Sequence, residues 1–390
     1  MIVYILSYVP FKELVTSVSL VCKKFNQTIL EDSLLPTDLE IDFSSYSPMF
    51  ETQSLKTIKL LNSAKSLRYL TVHVNNHLCA MLEAVGKQSK HLRGLRILYT
   101  TGNFISLKEK EECSSHLISI GTNCKQLKEL RLLINCSFYS MDLIKQMLIA
   151  RQNTLKALEI DSYELSSEVF RQIADCDKLE ELKLPKFELL SKSCFSKLDK
   201  KMSSLKILEL CVRKLSDECL AQGLSKCSSL EELTVHQANR LSRNGLHAIT
   251  NLSTLKKLHV NIRSRGLIKS EHFIHAFCEG QLNSLEYLEL SGYLDLSDYG
   301  IINIIEKYAN LNLKSLILDG CNNVSVQCFL YLYKTYVHLR PLKINGNSFP
   351  KDYGEMKNLF CIDQKQKNTP LKDKIDMLKS SWKSIINSTM

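Results

Sequence analysis

The residues closest to a catalytic arrangement are a cysteine and a histidine three positions apart, Cys113 and His116. A thiol beside an imidazole can act as a nucleophile when a third group orients the histidine. The charged run KEKEE directly before Cys113 favours an exposed, mobile loop over residues 101–115. No third group is apparent near this pair in the sequence. We therefore interpret Cys113 and His116 as a chance pairing at the surface rather than as a catalytic site.

Established catalytic and cofactor-binding motifs are absent from the sequence. It contains no GxxxxGK[ST] phosphate loop, no GxSxG nucleophile turn, no HExxH zinc helix and no GxGxxG dinucleotide turn. The 14 cysteines are spread along the chain without a CxxC pair, whereas zinc ligands usually cluster more tightly. We predict a protein that is not an enzyme and has no catalytic residue, cofactor or metal site.

Length and composition favour a large folded chain built from repeats. The chain has 390 residues, of which 44% are hydrophobic, and a single hydrophobic core stops growing at roughly 250–300 residues. No apolar run reaches the ~18 residues that span a membrane, and we interpret the apolar start as structure rather than a leader. Thinly spread cysteines are typical of reduced thiols, so we expect a cytoplasmic or nuclear protein with no membrane partner. The net charge of +10 favours acidic partners without specifying one.

A short leucine pattern, L-x-x-L-x-[LIV], recurs along most of the sequence. Successive copies start 24 to 35 residues apart, close to the period of about 20–29 residues that is typical of leucine-rich repeats. The first leucines of the eleven copies are Leu67, Leu92, Leu127, Leu155, Leu179, Leu205, Leu230, Leu255, Leu285, Leu313 and Leu339. Chance does not explain eleven copies, so we predict a stack of repeats.

Each repeat predicts a strand followed by a helix. The final L-x-[LIV] alternates as a strand does, sending two apolar side chains to one face. A serine that can accept hydrogen bonds from first-turn N–H groups follows in six repeats and predicts a helix start. These serines are Ser166, Ser191, Ser216, Ser242, Ser297 and Ser325. The predicted fold class is therefore α/β, a leucine-rich-repeat solenoid with parallel strands on its concave face and helices on its convex face.

The two ends of the predicted solenoid are less regular. LEIDF at Leu39 predicts a degenerate first strand, and the spacing of Leu55, Ile58, Leu61 and Ala64 predicts the first outer helix. At the other end, Thr369 and Pro370 begin an amphipathic pattern that predicts a helix capping the last repeat. A helix that binds a partner or a membrane surface is the alternative there. Several cysteines beside the repeats should fill the core, namely Cys124, Cys227 and Cys321.

The strand residues between the buried leucines should face the concave side, where a solenoid presents a broad surface to a protein substrate. The predicted substrate-binding residues are Tyr69, Thr71, Arg96, Arg131, Glu159, Lys183, Glu209, His236, His259, Tyr287 and Glu289. Arg96 and Arg131 stand in consecutive repeats and could together hold a carboxylate or phosphate. Charges of both signs alternate without a basic stripe, so we predict no nucleic-acid partner.

The first 35 residues follow helical intervals rather than the leucine spacing. Leu14, Val18 and Val21 share one helical face, and Phe25 extends the same stripe. A segment this short buries little apolar surface by itself, so we expect some of that surface to contact another protein. The alternative is a segment that only caps the solenoid.

This N-terminal segment, with ILSYVPFKEL followed by SLVCKKFNQTILEDSLL, resembles an F-box. The matching residues are Ile5, Leu6, Ser7, Pro10, Leu14, Val21, Cys22, Lys23 and Phe25. An F-box directly before leucine-rich repeats is similar to the F-box and leucine-rich-repeat family, and the cysteines near the leucines resemble that family's cysteine-containing repeats. Phe25 stands where the family more often has Trp. The family also has a Leu-Pro pair and an acidic residue before the matching run, so the resemblance implies either an N-terminally truncated F-box or one that lacks part of the adaptor contact.

The resemblance implies the substrate-recognition subunit of a Skp–cullin–F-box ubiquitin ligase. The F-box would dock on a Skp-family adaptor, while the concave face would bind a protein substrate for ubiquitination and proteasomal degradation. Such a subunit makes and breaks no covalent bond itself but brings the substrate near the charged enzyme. The expected adaptor contacts are Leu6, Val9, Pro10, Leu14, Val18, Val21 and Phe25.

Two other functions remain open at this point. One is a leucine-rich scaffold or inhibitor without any link to ubiquitin, and the other is an extracellular receptor-like repeat protein with disulfide caps. The predicted organisation is an F-box-like helical segment over residues 1–35, about twelve repeats over 36–345 and a tail with a capping helix over 346–390. In the scaffold alternative the first 35 residues are only a cap.

Overall fold

The structure of the protein is a computed structural model. It describes residues 37–41, 57–62, 64–73, 77–98, 107–133, 141–161, 166–186, 200–238, 241–262, 270–292, 296–309, 311–321, 324–336, 338–339, 342–344 and 347–348. The predicted F-box-like segment, with all seven expected adaptor contacts, lies outside the described residues, as does the predicted terminal helix after Thr369. The two boundaries between the three predicted segments therefore stay predictions.

The described strands form one sheet of thirteen strands in which each strand pairs with the next one along the chain. They are β1 (Asp38–Ile41), β2 (Tyr69–His73), β3 (Gly94–Leu98), β4 (Glu129–Leu133), β5 (Ala157–Ile160), β6 (Glu181–Leu184), β7 (Ile207–Cys211), β8 (Glu232–His236), β9 (Lys257–Asn261), β10 (Tyr287–Ser291), β11 (Ser315–Asp319), β12 (Leu342–Ile344) and β13 (Asn347–Ser348). All neighbouring pairs from β1 to β12 are parallel, and β13 returns antiparallel to β12.

A helix follows most strands and packs on the helix of the next repeat. The helices are α1 (Leu78–Gln88), α2 (Leu107–Asn123), α3 (Met141–Arg151), α4 (Ser167–Ala174), α5 (Asp217–Leu224), α6 (Arg243–Thr250), α7 (Ser270–Glu279), α8 (Asp298–Ala309) and α9 (Val326–Thr335). Strand, turn and helix thus repeat along the chain. The predicted α/β leucine-rich-repeat solenoid is confirmed, with its sheet on the concave face and its helices on the convex face.

The repeated leucines hold this fold together. The register aligns Leu182, Leu208, Leu233 and Leu258 in one row across neighbouring strands, and all four are fully buried. Burying one such side chain stabilises the fold by roughly 1.5–3 kcal/mol. One repeat cannot cover its own apolar side, so the stacking of neighbours creates the continuous core.

Serine caps start the helices as predicted. Each serine hydroxyl accepts a hydrogen bond from a backbone N–H in the first turn of its helix at Ser166, Ser216, Ser242, Ser297 and Ser325. Ser191 lies outside the described residues. Two aspartates also tie one repeat to the next, because the backbone N–H of Ser242 donates to Asp217 Oδ1 at 3.2 Å and that of Ser325 donates to Asp298 Oδ1 at 2.6 Å.

The irregular first repeat also agrees with the sequence. Leu39 is buried in strand β1, which pairs in parallel with β2. Residues 57–61 are helical, and the side chains of Leu61, at the end of this helix, and of Ala64, just after it, are buried. The degenerate first repeat and the described part of its outer helix are therefore confirmed.

The prediction of a mobile loop over residues 101–115 is wrong for residues 107–115, which form the first half of α2. Cys113, Leu117 and Ile120 are fully buried on one side of this helix, while Lys108 and Glu112 lie one turn apart on its exposed side, 3.9 Å from each other. The run of charges marks the solvated face of an amphipathic helix, which explains why it looks like a loop in the sequence.

The cysteines within the described residues follow the prediction, except for one pair. Cys124, Cys227 and Cys321 are buried, and burial raises the pKa of Cys124 to about 11 and that of Cys227 to about 12. The thiols of Cys124 and Cys227 therefore stay protonated at neutral pH, and all three cysteines act as small core residues. Cys79 and Cys113 instead form a disulfide bond that links α1 to α2, with Cα atoms 4.7 Å apart. The prediction of reduced thiols is wrong for this pair.

Candidate protein-binding site

The parallel register places the predicted concave residues in one continuous row. Thr71 pairs with Arg96, Arg96 with Arg131, and Arg131 with Glu159. The row then runs through Lys183, Glu209, Thr234, His259, Glu289, Ile317 and Lys343. We call it the central row. Tyr69 and Tyr287 lie at the N-terminal ends of their strands and His236 at the C-terminal end of its strand, so all three flank this row.

All eleven predicted substrate-binding residues keep some exposed surface. Tyr69 and Arg96 are exposed, and the other nine are half-buried. The leucines between them are buried on the opposite side of the sheet. Strand alternation therefore brings the predicted residues together on one accessible face. Whether this face binds a substrate stays a prediction.

Arg131 joins three strands through two carboxylates. Its Nη1 donates to Glu159 Oε2 at 3.0 Å on β5 and to Glu181 Oε1 at 2.7 Å on β6, while Nη2 donates to Glu181 Oε2 at 3.0 Å. Lys183 Nζ lies 3.0 Å from the same Glu181 Oε1. The planar guanidinium and the carboxylate of Glu181 thus form a two-pronged pair, the strongest common geometry for such groups.

The protonation states in this cluster are fixed by their partners. Burial opposes the ionisation of Glu181, but the hydrogen bonds from Arg131 and Lys183 outweigh it and hold the pKa of Glu181 below its ordinary value. The hydrogen bond to Glu181 raises the pKa of Arg131, although burial acts in the opposite direction. Both groups are charged over the whole neutral range.

These contacts correct one expectation about the arginines. Arg96 and Arg131 are direct neighbours in the register, as the repeats predict. The guanidinium of Arg131, however, is occupied by Glu159 and Glu181, whereas Arg96 is exposed and forms no ion pair with any residue in the described ranges. The two side chains do not form a shared anion grip on the concave face, because carboxylates of the protein already neutralise one of them.

A second polar cluster lies further along the row and combines histidine, glutamate and tyrosine. His236 Nε2 lies 2.7 Å from Glu209 Oε1, and His259 Nδ1 lies 3.1 Å from Glu289 Oε2. The hydroxyl of Tyr287 donates to Glu289 Oε2 at 2.7 Å, and the rings of His259 and Tyr287 pack 4.8 Å apart. Burial raises the pKa of Tyr287, and its hydrogen bond to Glu289 raises it further. The phenol therefore remains a hydrogen-bond donor.

Among the concave residues that the sequence prediction left out, Lys257 and Glu232 form an ion pair. Lys257 Nζ on β9 lies 3.2 Å from Glu232 Oε2 on β8. Both residues stand two positions before a central-row residue and share its face, as strand alternation requires. The strand alternation could have identified both residues in the sequence, because each lies two positions before a central-row residue on the same strand.

The concave strand residues from β4 to β10 carry more negative than positive charge. Three permanent cations, Arg131, Lys183 and Lys257, stand against six carboxylates, which are Glu129, Glu159, Glu181, Glu209, Glu232 and Glu289. The chain as a whole carries a net charge of +10. This part of the concave face therefore has the opposite sign to the molecule and can attract a basic protein segment.

The described ranges hold no cluster of three or more His, Cys, Asp or Glu residues with the geometry of a metal site. None of the described helices combines the length and the hydropathy of a membrane span. Cys113 cannot act as a nucleophile beside His116, since its sulfur is buried and bonded to Cys79.

Comparison with known proteins identifies the fold but no family. No protein-family model matches the sequence, and no curated protein matches it. Among solved structures, the complex of Rad7 and Elc1 in yeast is similar, with 17% identity, a TM-score of 0.50 and coverage of 82% of this chain and 79% of that one. A complex of TLR13 with ssRNA13 matches with 16% identity, a TM-score of 0.39 and coverage of 75% of this chain and 38% of that one. At 17% identity the likeness to the yeast complex concerns the fold alone.

Proposed function

We propose that the protein is the substrate-recognition subunit of a Skp–cullin–F-box ubiquitin ligase and catalyses no reaction itself. The observation that carries this proposal is the order of the two parts. The F-box-like run occupies the first 35 residues, and strand β1 of the solenoid begins at Asp38. A segment that docks on an adaptor would thus be joined to a recognition surface with almost no linker between them.

A short connection suits the work of such a subunit. Ubiquitin transfer requires the substrate lysines to stay near the charged enzyme, and a short tether raises their effective concentration. The solenoid supplies a broad row of polar side chains, held by a continuous leucine core, for a protein substrate. The similar yeast structure is itself a complex of Rad7 with a second protein, Elc1, which agrees with a role inside an assembly.

The charge of the concave face indicates the kind of substrate. Six carboxylates against three permanent cations between β4 and β10 favour a segment rich in Lys or Arg. The His259, Tyr287 and Glu289 cluster offers hydrogen-bonding groups and a ring surface in one place. Tyrosine is enriched at protein interfaces, so Tyr287 is the expected anchor of a bound substrate in this cluster.

Adaptor binding tests the proposal directly. The full chain co-expressed with a Skp-family adaptor should co-purify as a one-to-one complex. The variant P10A/L14A should recover at least about tenfold less adaptor, because it removes two apolar contacts. The variant K12A/E13A is the matched control, since it changes polar residues of the same segment, and it should retain the adaptor.

The melting temperature of the solenoid should be the same in both variants, which separates a lost contact from a damaged fold. Equal adaptor recovery for P10A/L14A and K12A/E13A would contradict the proposed interface. A chain that purifies alone in every case would leave a scaffold without a ubiquitin link as the better description.

A further inference from the structure

A second row of charged residues lies at the N-terminal edge of the sheet, outside the concave face. Each member directly follows the first leucine of its repeat. From the second member onward, the backbone N–H of each donates to the carbonyl oxygen of the member before it, at 2.6 to 2.8 Å. The members in chain order are Arg68, Arg93, Lys128, Lys156, Glu180, Lys206, Glu231, Lys256, Glu286 and Lys314. We call this the edge row.

The later part of the edge row neutralises itself. Glu180 accepts from Lys156 at 2.5 Å and from Lys206 at 2.9 Å. Lys256 lies 2.9 Å from Glu231, and Lys314 lies 2.7 Å from Glu286. Cations and carboxylates alternate there, so every charge has a partner in the neighbouring repeat.

The first part of the edge row contains only cations. Arg68, Arg93 and Lys128 follow one another along the backbone ladder without a carboxylate between them. None of the three forms an ion pair with a residue that the structure describes. Neighbouring strands lie about 4.8 Å apart, so these like charges repel one another. Their repulsion would be relieved by an anion bound between them.

A pocket opens beside these cations, and its three permanently charged side chains, Lys65, Arg68 and Arg93, are all hydrogen-bond donors. Its volume is ≈ 430 Å³, and its lining is completed by the uncharged residues Thr37, Ser66 and Gln126 and by His91. Aspartate and glutamate are absent from the described lining. The volume lies within the range of small-ligand sites, roughly 300–1,000 Å³.

We infer that this pocket binds a phosphate-bearing anion, in the form of a phosphomonoester. A phosphomonoester carries about −1.5 to −2 charge at neutral pH, which matches a site with three permanent cations better than a singly charged carboxylate does. Arginine side chains can donate two parallel hydrogen bonds to a phosphate, and the adjacent Arg68 and Arg93 provide two such forks. The site is separate from the concave row, and the inference holds whether or not the protein belongs to a ubiquitin ligase.

Calorimetric titration of the full chain tests the inference at a fixed low ionic strength. Two probes distinguish a free ligand from a modified protein: inorganic phosphate, and a phosphoserine peptide compared with its unphosphorylated twin. We expect inorganic phosphate to bind saturably at one site. A clear preference for the phosphorylated peptide over its twin would show that the bound phosphate group belongs to a phosphorylated protein. R68Q/R93Q should weaken binding at least about tenfold.

The matched control removes the same number of charges from the same row. K206Q/K256Q changes two exposed cations in the self-neutralised part and should leave affinity within about twofold of the wild type. K65Q/H91Q, in which both changed side chains are exposed, provides a second pocket variant if R68Q/R93Q unfolds. Equal losses in pocket and control variants would overturn the inference, as would the absence of saturable binding. Tighter binding of a mixed-sequence RNA octamer that depends on Arg68 and Arg93 would also overturn it in favour of a nucleic-acid interface.

Discussion

The first and later repeats share one backbone plan but differ sharply in their edge charges. From Arg68 to Lys128 the edge row is purely cationic, whereas from Lys156 to Lys314 each charge is paired across repeats. The backbone ladder and the buried leucines continue through both parts. The ion pairs are therefore not needed to stack the repeats, and a repeat can devote its edge charges to a ligand without losing its fold.

The largest expected effect tests whether both parts depend equally on the core. Leu70→Ala on β2 and Leu233→Ala on β8 each remove a buried leucine from the same ladder. Each should lower the free energy of unfolding by about 2–5 kcal/mol in urea titrations. Leu311→Ala, at a side chain that is 47% exposed, is the control and should change it by less than about 0.5 kcal/mol. A small effect at Leu70 together with a large one at Leu233 would show that the first repeats depend less on the leucine core than the later ones do.

A smaller effect is expected where the concave charges are paired. Arg131→Met leaves Glu159 and Glu181 half-buried without their main partner and should lower the free energy of unfolding by about 1–3 kcal/mol. Arg96→Met removes the neighbouring exposed guanidinium and should have no measurable effect. Equal results for the two variants would contradict the distinction between paired and unpaired arginines.

The same cluster predicts a dependence on pH with a definite sign. The folded-state pKa of Glu181 lies below its ordinary value of 4.5, so its contribution to stability is present above that pH and is lost as the pH falls further. Glu181→Gln should therefore destabilise the protein at pH 7 and have a smaller effect at pH 3, as measured by urea titration at both values. A difference that grows on acidification would have the wrong sign.

A small effect on stability is expected when the first repeats are given the alternating cations and carboxylates of the later edge row. Arg93→Glu places a carboxylate between Arg68 and Lys128, as Glu180 stands between Lys156 and Lys206. The free energy of unfolding should stay within about 0.5 kcal/mol of the wild type, because exposed pairs contribute little. Phosphate binding should be lost in the same variant. Unchanged phosphate binding would contradict the proposal that the cations in the first part of the edge row bind the phosphate.

Much of the solenoid was predictable from the sequence because its physics is local. The leucine period determines which side chains face inward, and Ser216 or Ser325 can cap a helix through its own first turn. The order of residues along the central row follows from the same period, since equivalent strand positions stack in register. These features need no knowledge of contacts beyond the neighbouring repeat.

The features that the sequence did not reveal depend on longer contacts or on opposing signals. Arg131 reaches Glu181, which is 50 positions away and two strands across the sheet. The bond between Cys79 and Cys113 requires α1 and α2 to pack so that two residues 34 positions apart in the sequence become direct neighbours. The charged first turns of α2 obscured a helix whose apolar side is carried by Cys113 and Leu117. The edge pocket combines residues from separate repeats, so no single motif indicates it.

The most direct test of the proposed function measures adaptor and substrate capture in one experiment. Tagged wild type would be purified from proteasome-inhibited cells beside Glu209→Lys/Glu289→Lys on the concave face and Glu111→Lys/Glu218→Lys on helices α2 and α5. The two variants change the net charge equally, and quantitative mass spectrometry would count every bound protein. We predict that all three retain the Skp-family adaptor and that only the concave variant loses the other captured proteins. Loss of the same proteins from both variants, or capture unaffected by the concave change, would contradict recognition by the concave face.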